Sequence, residues 1–210
     1  MSAPDPTPAP DASPALDASA LATEPPSVRR ARVLALMFGL AAAVVAADQI
    51  SKAVVLGKLP GHPPVRLLGG LITLRLTFNA GVAFGVGTSY TVFVTLLVCG
   101  VIVFIIRTAR RLRSLAWTIA LGLVLGGATG NFADRLFRSP GPLRGRVVDW
   151  INLPHFPWTF NVADSSITCA AALMAILAVR GLRIDGTLAP RPSAASRPER
   201  GDRPRGAPSK

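Results

Sequence analysis

Two carboxylates, Asp149 and Asp164, stand in surroundings that are otherwise apolar and aromatic. Asp149 lies inside Val147-Val148-Asp149-Trp150-Ile151, and Asp164 opens an apolar run that continues to Val179. An acid in such company has to be neutralised, paired or used. Two acids held together, one ionised and one protonated, can activate a water and protonate a departing amide, which is aspartyl hydrolysis. Their settings sort the roles. Asp164 sits near the start of a hydrophobic segment, where the positive end of a helix dipole favours a carboxylate. Asp149 has no cation beside it, so its surroundings favour the protonated form.

Other acids offer less. Asp48 and Lys52 are spaced i,i+4 and share one helix face, an ion pair whose role is structural or supporting. Asp134 stands next to Arg135, an arrangement more often a local ion pair than a catalyst, and it is the rival to the Asp149–Asp164 pair. His62 and His155 lack metal-ligand spacing and read as loop residues. Cys99 and Cys169 fall within apolar runs without CxxC or His neighbours and read as buried packing residues. There is no Gly-x-Ser-x-Gly, no Cys/His pair and no P-loop. No metal or organic cofactor is expected.

The elements that must position these residues follow from composition. Half of the 210 residues are hydrophobic, and the mean hydropathy is +0.44, too apolar for an ordinary soluble domain. The net charge of +12 comes from arginines clustered beside hydrophobic segments, a topology signal rather than a nucleic-acid face. Four spans are predicted, at about residues 33–56, 90–106, 115–133 and 160–179. A cleaved signal peptide ending at Val45-Ala46-Ala47 is the alternative for the first, but its helical pattern continues past Asp48. Gly122, Gly126 and Gly130 repeat every four residues in the third span, the spacing that lets helices approach closely.

Between the first two spans, Ile72, Leu74, Leu76 and Phe78 alternate with Thr73, Arg75 and Thr77, which predicts a half-buried strand. Asn79-Ala80-Gly81 then reads as a turn, with Val82 to Gly85 pairing back, so a small sheet at about 66–86 would lie on the membrane surface. Asn79 is a turn former or a substrate contact. The proline- and glycine-punctuated segment from Leu136 to Trp158 reads as a loop. Residues 1–28 and 184–210 are too poor in large apolar side chains to fold and read as disordered tails. The core is therefore residues 29–183. The arginines at 107–113 mark a cytoplasmic loop, so both tails would be cytoplasmic and the four acids would converge at the outer end.

Five blocks carry a resemblance: Asp48-Gln49-Ile50-Ser51-Lys52, Phe78 to Gly85, Gly126 to Arg135, Val147 to Trp150, and Phe160 to Asp164. In order, they resemble the signature blocks of lipoprotein signal peptidase, or signal peptidase II, over about residues 33–180. The resemblance implies an all-α, four-helix aspartyl endopeptidase of the bacterial plasma membrane with a small extracytoplasmic sheet. It implies cleavage of prolipoproteins before a diacylglyceryl-modified cysteine, membrane lipids as partners, no nucleic acid, and inhibition by globomycin. It also implies that Asp149 and Asp164 are the catalytic pair. Asn79, Gly127, Asn131, Arg135, Asn161 and Ala163 would line the site and hold substrate backbone, with Asp48 and Lys52 supporting.

Two rival classes remain. A small ion transporter would need polar residues through the full membrane thickness, whereas the second and fourth spans are apolar through their middles. A structural subunit would use the glycine spacing but has no use for two acids in an apolar loop. The Gly-x-Gly-Asp motif of presenilin-type proteases is absent.

Overall fold

The computed structural model describes residues 26–80 and 89–189. Four helices dominate them: α1 (Pro26–Lys58), α2 (Ser89–Thr108), α3 (Leu115–Phe137) and α4 (Val162–Val179). All four are long and apolar enough to cross a bilayer. Large apolar side chains such as Ile50, Phe93, Leu97, Phe104 and Ile176 are exposed on the outside of the bundle, where hydrocarbon rather than water is the solvent. The chain is a multi-pass membrane protein.

Helix α3 packs against the other three, and its glycines explain how. A Cβ added at Gly126 would lie 2.6 Å from Val44 Cβ and 2.8 Å from the Ala41 carbonyl; one at Gly122 would lie 3.0 Å from the Met37 carbonyl. The α1 and α3 backbones are in direct contact, as the four-residue spacing predicts. Gly127, one position round the helix, does the same towards α4, where a Cβ would meet Ala163 O and Ser166 Oγ at 2.5 Å. A cluster of Met37, Ala41, Ile105, Ala109, Leu112, Leu121 and Leu125 fills the other half of the bundle.

At the opposite end sits an antiparallel sheet in the order β1-β2-β3-β4, formed by Val65–Leu67, Ile72–Asn79, Val147–Asn152 and Thr159–Phe160. Strand β2 is the one the alternation predicts. Its neighbours are β1 and β3; residues 82–85, expected to pair back on it, lie outside the described residues. Strand β3 corrects the expectation of a continuous loop from Leu136 to Trp158. Its first three residues are all buried, so it shows no alternation. It is also only six residues long between Gly145 and Pro154, and short apolar runs bounded by Gly and Pro carry no periodic signal.

Other boundaries move as well. Helix α1 begins at Pro26, so residues 26–28 belong to it rather than to a tail. Helix α3 runs on to Phe137, which places Asp134 and Arg135 inside it rather than beyond its end. Residues 184–189 fold back rather than trailing away. Ile184 O accepts from Arg113 N and Ser114 N, both at 3.1 Å, and Leu182 pairs with Leu188. Residues 1–25 and 190–210, the rest of the expected tails, lie outside the described residues. Cys99 is half-buried and Cys169 exposed, so neither is the core packing residue expected; a small, weakly polar thiol is at home against lipid.

Candidate active site

Strand β3 carries Asp149 into the bundle end, where it is 1% exposed. It stands opposite Thr77 of β2, and Asn79 is its diagonal neighbour on the same face. Asn79 Nδ2 donates to Asp149 Oδ2 at 3.0 Å. Asn161 Nδ2 donates to Oδ1 at 2.7 Å.

Asp164 reaches the same place from the first turn of α4. Asn161 caps that helix, its Oδ1 accepting from Asp164 N at 2.8 Å while Asp164 Oδ2 accepts from Asn161 N at 3.2 Å. This is a capping box, and its Asn-x-x-Asp signature is local enough to have been found in the sequence. Asn131 of α3 closes the circuit. Its Nδ2 donates to Asp164 Oδ1 at 2.8 Å, and its Oδ1 accepts from Asn161 Nδ2 at 3.1 Å. Two amides, Asn161 and Asn131, thus link the two acids in one hydrogen-bonded chain.

Behind the acids lies an ion network. Lys52 is fully buried, and its three N–H donors find three acceptors: Asp48 Oδ2 at 2.7 Å, Asp134 Oδ2 at 2.8 Å and Asn131 Oδ1 at 3.0 Å. Asp48 Oδ1 accepts from Ala163 N at 3.0 Å, tying α1 to α4. The Asp48–Lys52 pair is as the i,i+4 spacing predicts. The Asp134 pairing is not. Its partners are Lys52 and, at 2.6 Å, Arg138 Nε, rather than the adjacent Arg135, because successive residues on a helix point about 100° apart. Asp134 also accepts from Val148 N at 3.2 Å, so both of its oxygens are held and the residue anchors β3. Gln49, which the sequence offers only as a member of the Asp48–Lys52 block and with no role of its own, donates to Asp48, Gly130 O and Asp134.

Arg135 is 6% exposed, and its Nη1 is buried with no hydrogen-bond partner among the described residues. Its charge acts on Asp149, Asp164 and Asp134. Lys52 and Arg138 neutralise Asp48 and Asp134, which leaves Arg135 to balance one of the remaining two acids. For the other, taking up a proton removes the charge. Asp149 is where the proton is favoured: burial, and then the charge of Asp164, push its carboxyl up to about 7, against the pull of the Asn79 and Asn161 amides. Gly127 and Ala163, expected to hold substrate backbone, face one another at the α3–α4 contact, both buried.

Residues 40–180 match the model of the family described as signal peptidase (SPase) II. The chain belongs to the signal peptidase II family. Its relatives include the lipoprotein signal peptidases of Streptomyces coelicolor, 46% identical over 78% of this chain and 80% of that one, and Streptomyces griseus, 48% identical over 75% and 79%. That of Mycobacterium avium is 43% identical over 76% and 87%. The fold is similar to a bacterial membrane enzyme solved at 1.9 Å, with a TM-score of 0.61 and 25% identity, covering 69% of this chain and 92% of that one. All ten site residues named from the sequence fall within the matched span of this signal peptidase II chain.

Proposed function

We propose that this protein removes signal peptides from bacterial prolipoproteins as an aspartyl endopeptidase, cutting before the diacylglyceryl-modified cysteine, with Asp149 and Asp164 as its catalytic pair. One observation carries the reading: two acids from different elements are joined through Asn161 and Asn131, and the charge of Arg135, whose buried Nη1 has no hydrogen-bond partner among the described residues, acts on both. A structural subunit has no need of that arrangement.

Asp164, ionised, takes a proton from a water that attacks the scissile carbonyl. Asp149 begins protonated and hydrogen-bonds the carbonyl oxygen as negative charge develops on it; Asp164 then hands the proton it took from water to the departing amide nitrogen as the C–N bond breaks, which restores both acids. General acid–base work of this kind contributes about 10²- to 10⁴-fold. Arg135 Nη1 supplies a preorganised donor for the developing negative charge, a class of contact worth about 2.7–4 kcal/mol. Asn79, at the exposed end of β2, holds Asp149 and reaches the substrate backbone. The arginine loop at 107–113 sets the orientation, with the acids at the extracytoplasmic end and both termini in the cytoplasm. The signal helix then packs beside the bundle with its lipid in the bilayer.

The test is cleavage of a prolipoprotein peptide by the purified full chain in detergent. A diacylglyceryl-modified peptide is expected to be cut immediately before its cysteine, as read by mass spectrometry, and globomycin is expected to stop the reaction. The same peptide with an unmodified cysteine is expected to survive. If the folded protein leaves the lipidated peptide intact, the peptidase reading fails and ion flux in liposomes becomes the next experiment.

A further inference from the structure

At the bundle end remote from the acids, the first turns of α1 meet the α2–α3 linker around a cleft of about 390 Å³, lined by Ser27, Arg29, Arg30, Val33, Arg110, Leu112 and Arg113. Four guanidiniums from two elements converge there. Among the described residues no carboxylate lines the cleft, and none of the four arginines forms an ion pair. A neighbouring cleft on the other side of the linker holds Arg107, Arg111 and Arg183, but there Asp185 contributes a negative charge that Arg183 feels. The described lining of the four-arginine cleft has no such counter-charge.

Its depth narrows the choice of anion. The floor is Leu112, 2% exposed and part of the hydrophobic cluster that Val33 packs against. Charged walls above an apolar floor, at the level where α1 turns from polar to apolar, put the cleft where lipid phosphates lie. From Arg30 to Asp48 the rise along α1 is about 27 Å, so the cleft is a bilayer thickness away from the catalytic pair.

We propose that this cleft binds the phosphate of an anionic phospholipid of the cytoplasmic leaflet, through Arg29, Arg30, Arg110 and Arg113. The bound phosphate offsets part of the repulsion among the four like charges and clamps the start of α1 to the linker. Each basic residue near an anionic surface strengthens attraction to it, and guanidinium binds phosphate bidentately.

The experiment follows the unfolding temperature of the full chain in detergent during titration with phosphatidylglycerol, phosphatidylcholine or soluble glycerol 3-phosphate. Phosphatidylglycerol is expected to raise it saturably and the other two to leave it unchanged. In Arg110→Gln/Arg113→Gln the half-saturating lipid concentration rises about tenfold or more, whereas Arg107→Gln/Arg111→Gln, on the other side of the linker, responds as wild type does. Arg29→Gln/Arg30→Gln, in the exposed first turns of α1, gives the same reading if the first pair does not fold. An equal response of both linker variants to phosphatidylglycerol overturns the proposal, as does an equal effect of phosphatidylcholine. A full shift with glycerol 3-phosphate reassigns the cleft to a soluble phosphate and overturns the lipid.

Discussion

Asp149→Asn and Asp164→Asn are each expected to lower kcat/KM for the lipidated peptide by about 10²- to 10⁴-fold. The double variant should be little worse than either alone, because the two acids act as a unit. Stability is expected to change far less: burial and Asp164 already favour a neutral side chain at Asp149, and an amide there keeps an oxygen for one of the two donors, Asn79 and Asn161, at the loss of the other. The Asp164→Asn variant retains a side-chain oxygen for the capping box with Asn161. Lost activity in a protein of undiminished stability separates a catalytic role from a structural one. Full activity in either variant would remove that acid from the mechanism.

The second large effect is on the fold. Lys52→Met leaves Asp48 and Asp134 buried with one cation fewer, and Asn131 Oδ1 without its lysine donor. Stranding a charge in this way costs about 3–5 kcal/mol. The Asn131 amide that donates to Asp164 at 2.8 Å is then held at its oxygen by Asn161 alone. Thermal unfolding in detergent should show a large fall, and adding Asp48→Asn to the variant should recover part of it by removing one stranded charge. An unchanged unfolding temperature would mean that Lys52 does not hold this end of the bundle together.

The spans, the glycine contact and the strand around Arg75 were legible because each has its own period: long apolar runs, four-residue spacing, and alternation. Asp149 and Asp164 were legible by their discordance with their neighbours. What holds them was less so. Strand β3 has no alternation because it is buried from Val147 to Asp149, and it is recognisable only once β2 is beside it. Adjacency pairs Asp134 with Arg135, although Arg138 at i+4 is the readable partner. The convergence of Lys52, Asn131 and Asp134 joins positions some eighty residues apart, and no local pattern records it. Gln49 was hidden for the same reason, since two of its three acceptors lie on α3.

The proton on Asp149 is the centre of the mechanism, and the dependence of kcat/KM on pH tests it most directly. Asp149 must hold its proton to act as the acid, and its carboxyl is pushed up to about 7. Activity should therefore hold up to about pH 7 and fall about tenfold per unit above it. Unfolding cannot mimic this. The unfolded chain loses the Asp149 proton near 3.8 and the folded one near 7, so this residue lowers stability as pH rises between those values and leaves it level above them. A profile that falls above pH 7 at constant unfolding temperature is the predicted result; one that stays flat from pH 6 to 9 would contradict a catalytic proton on Asp149.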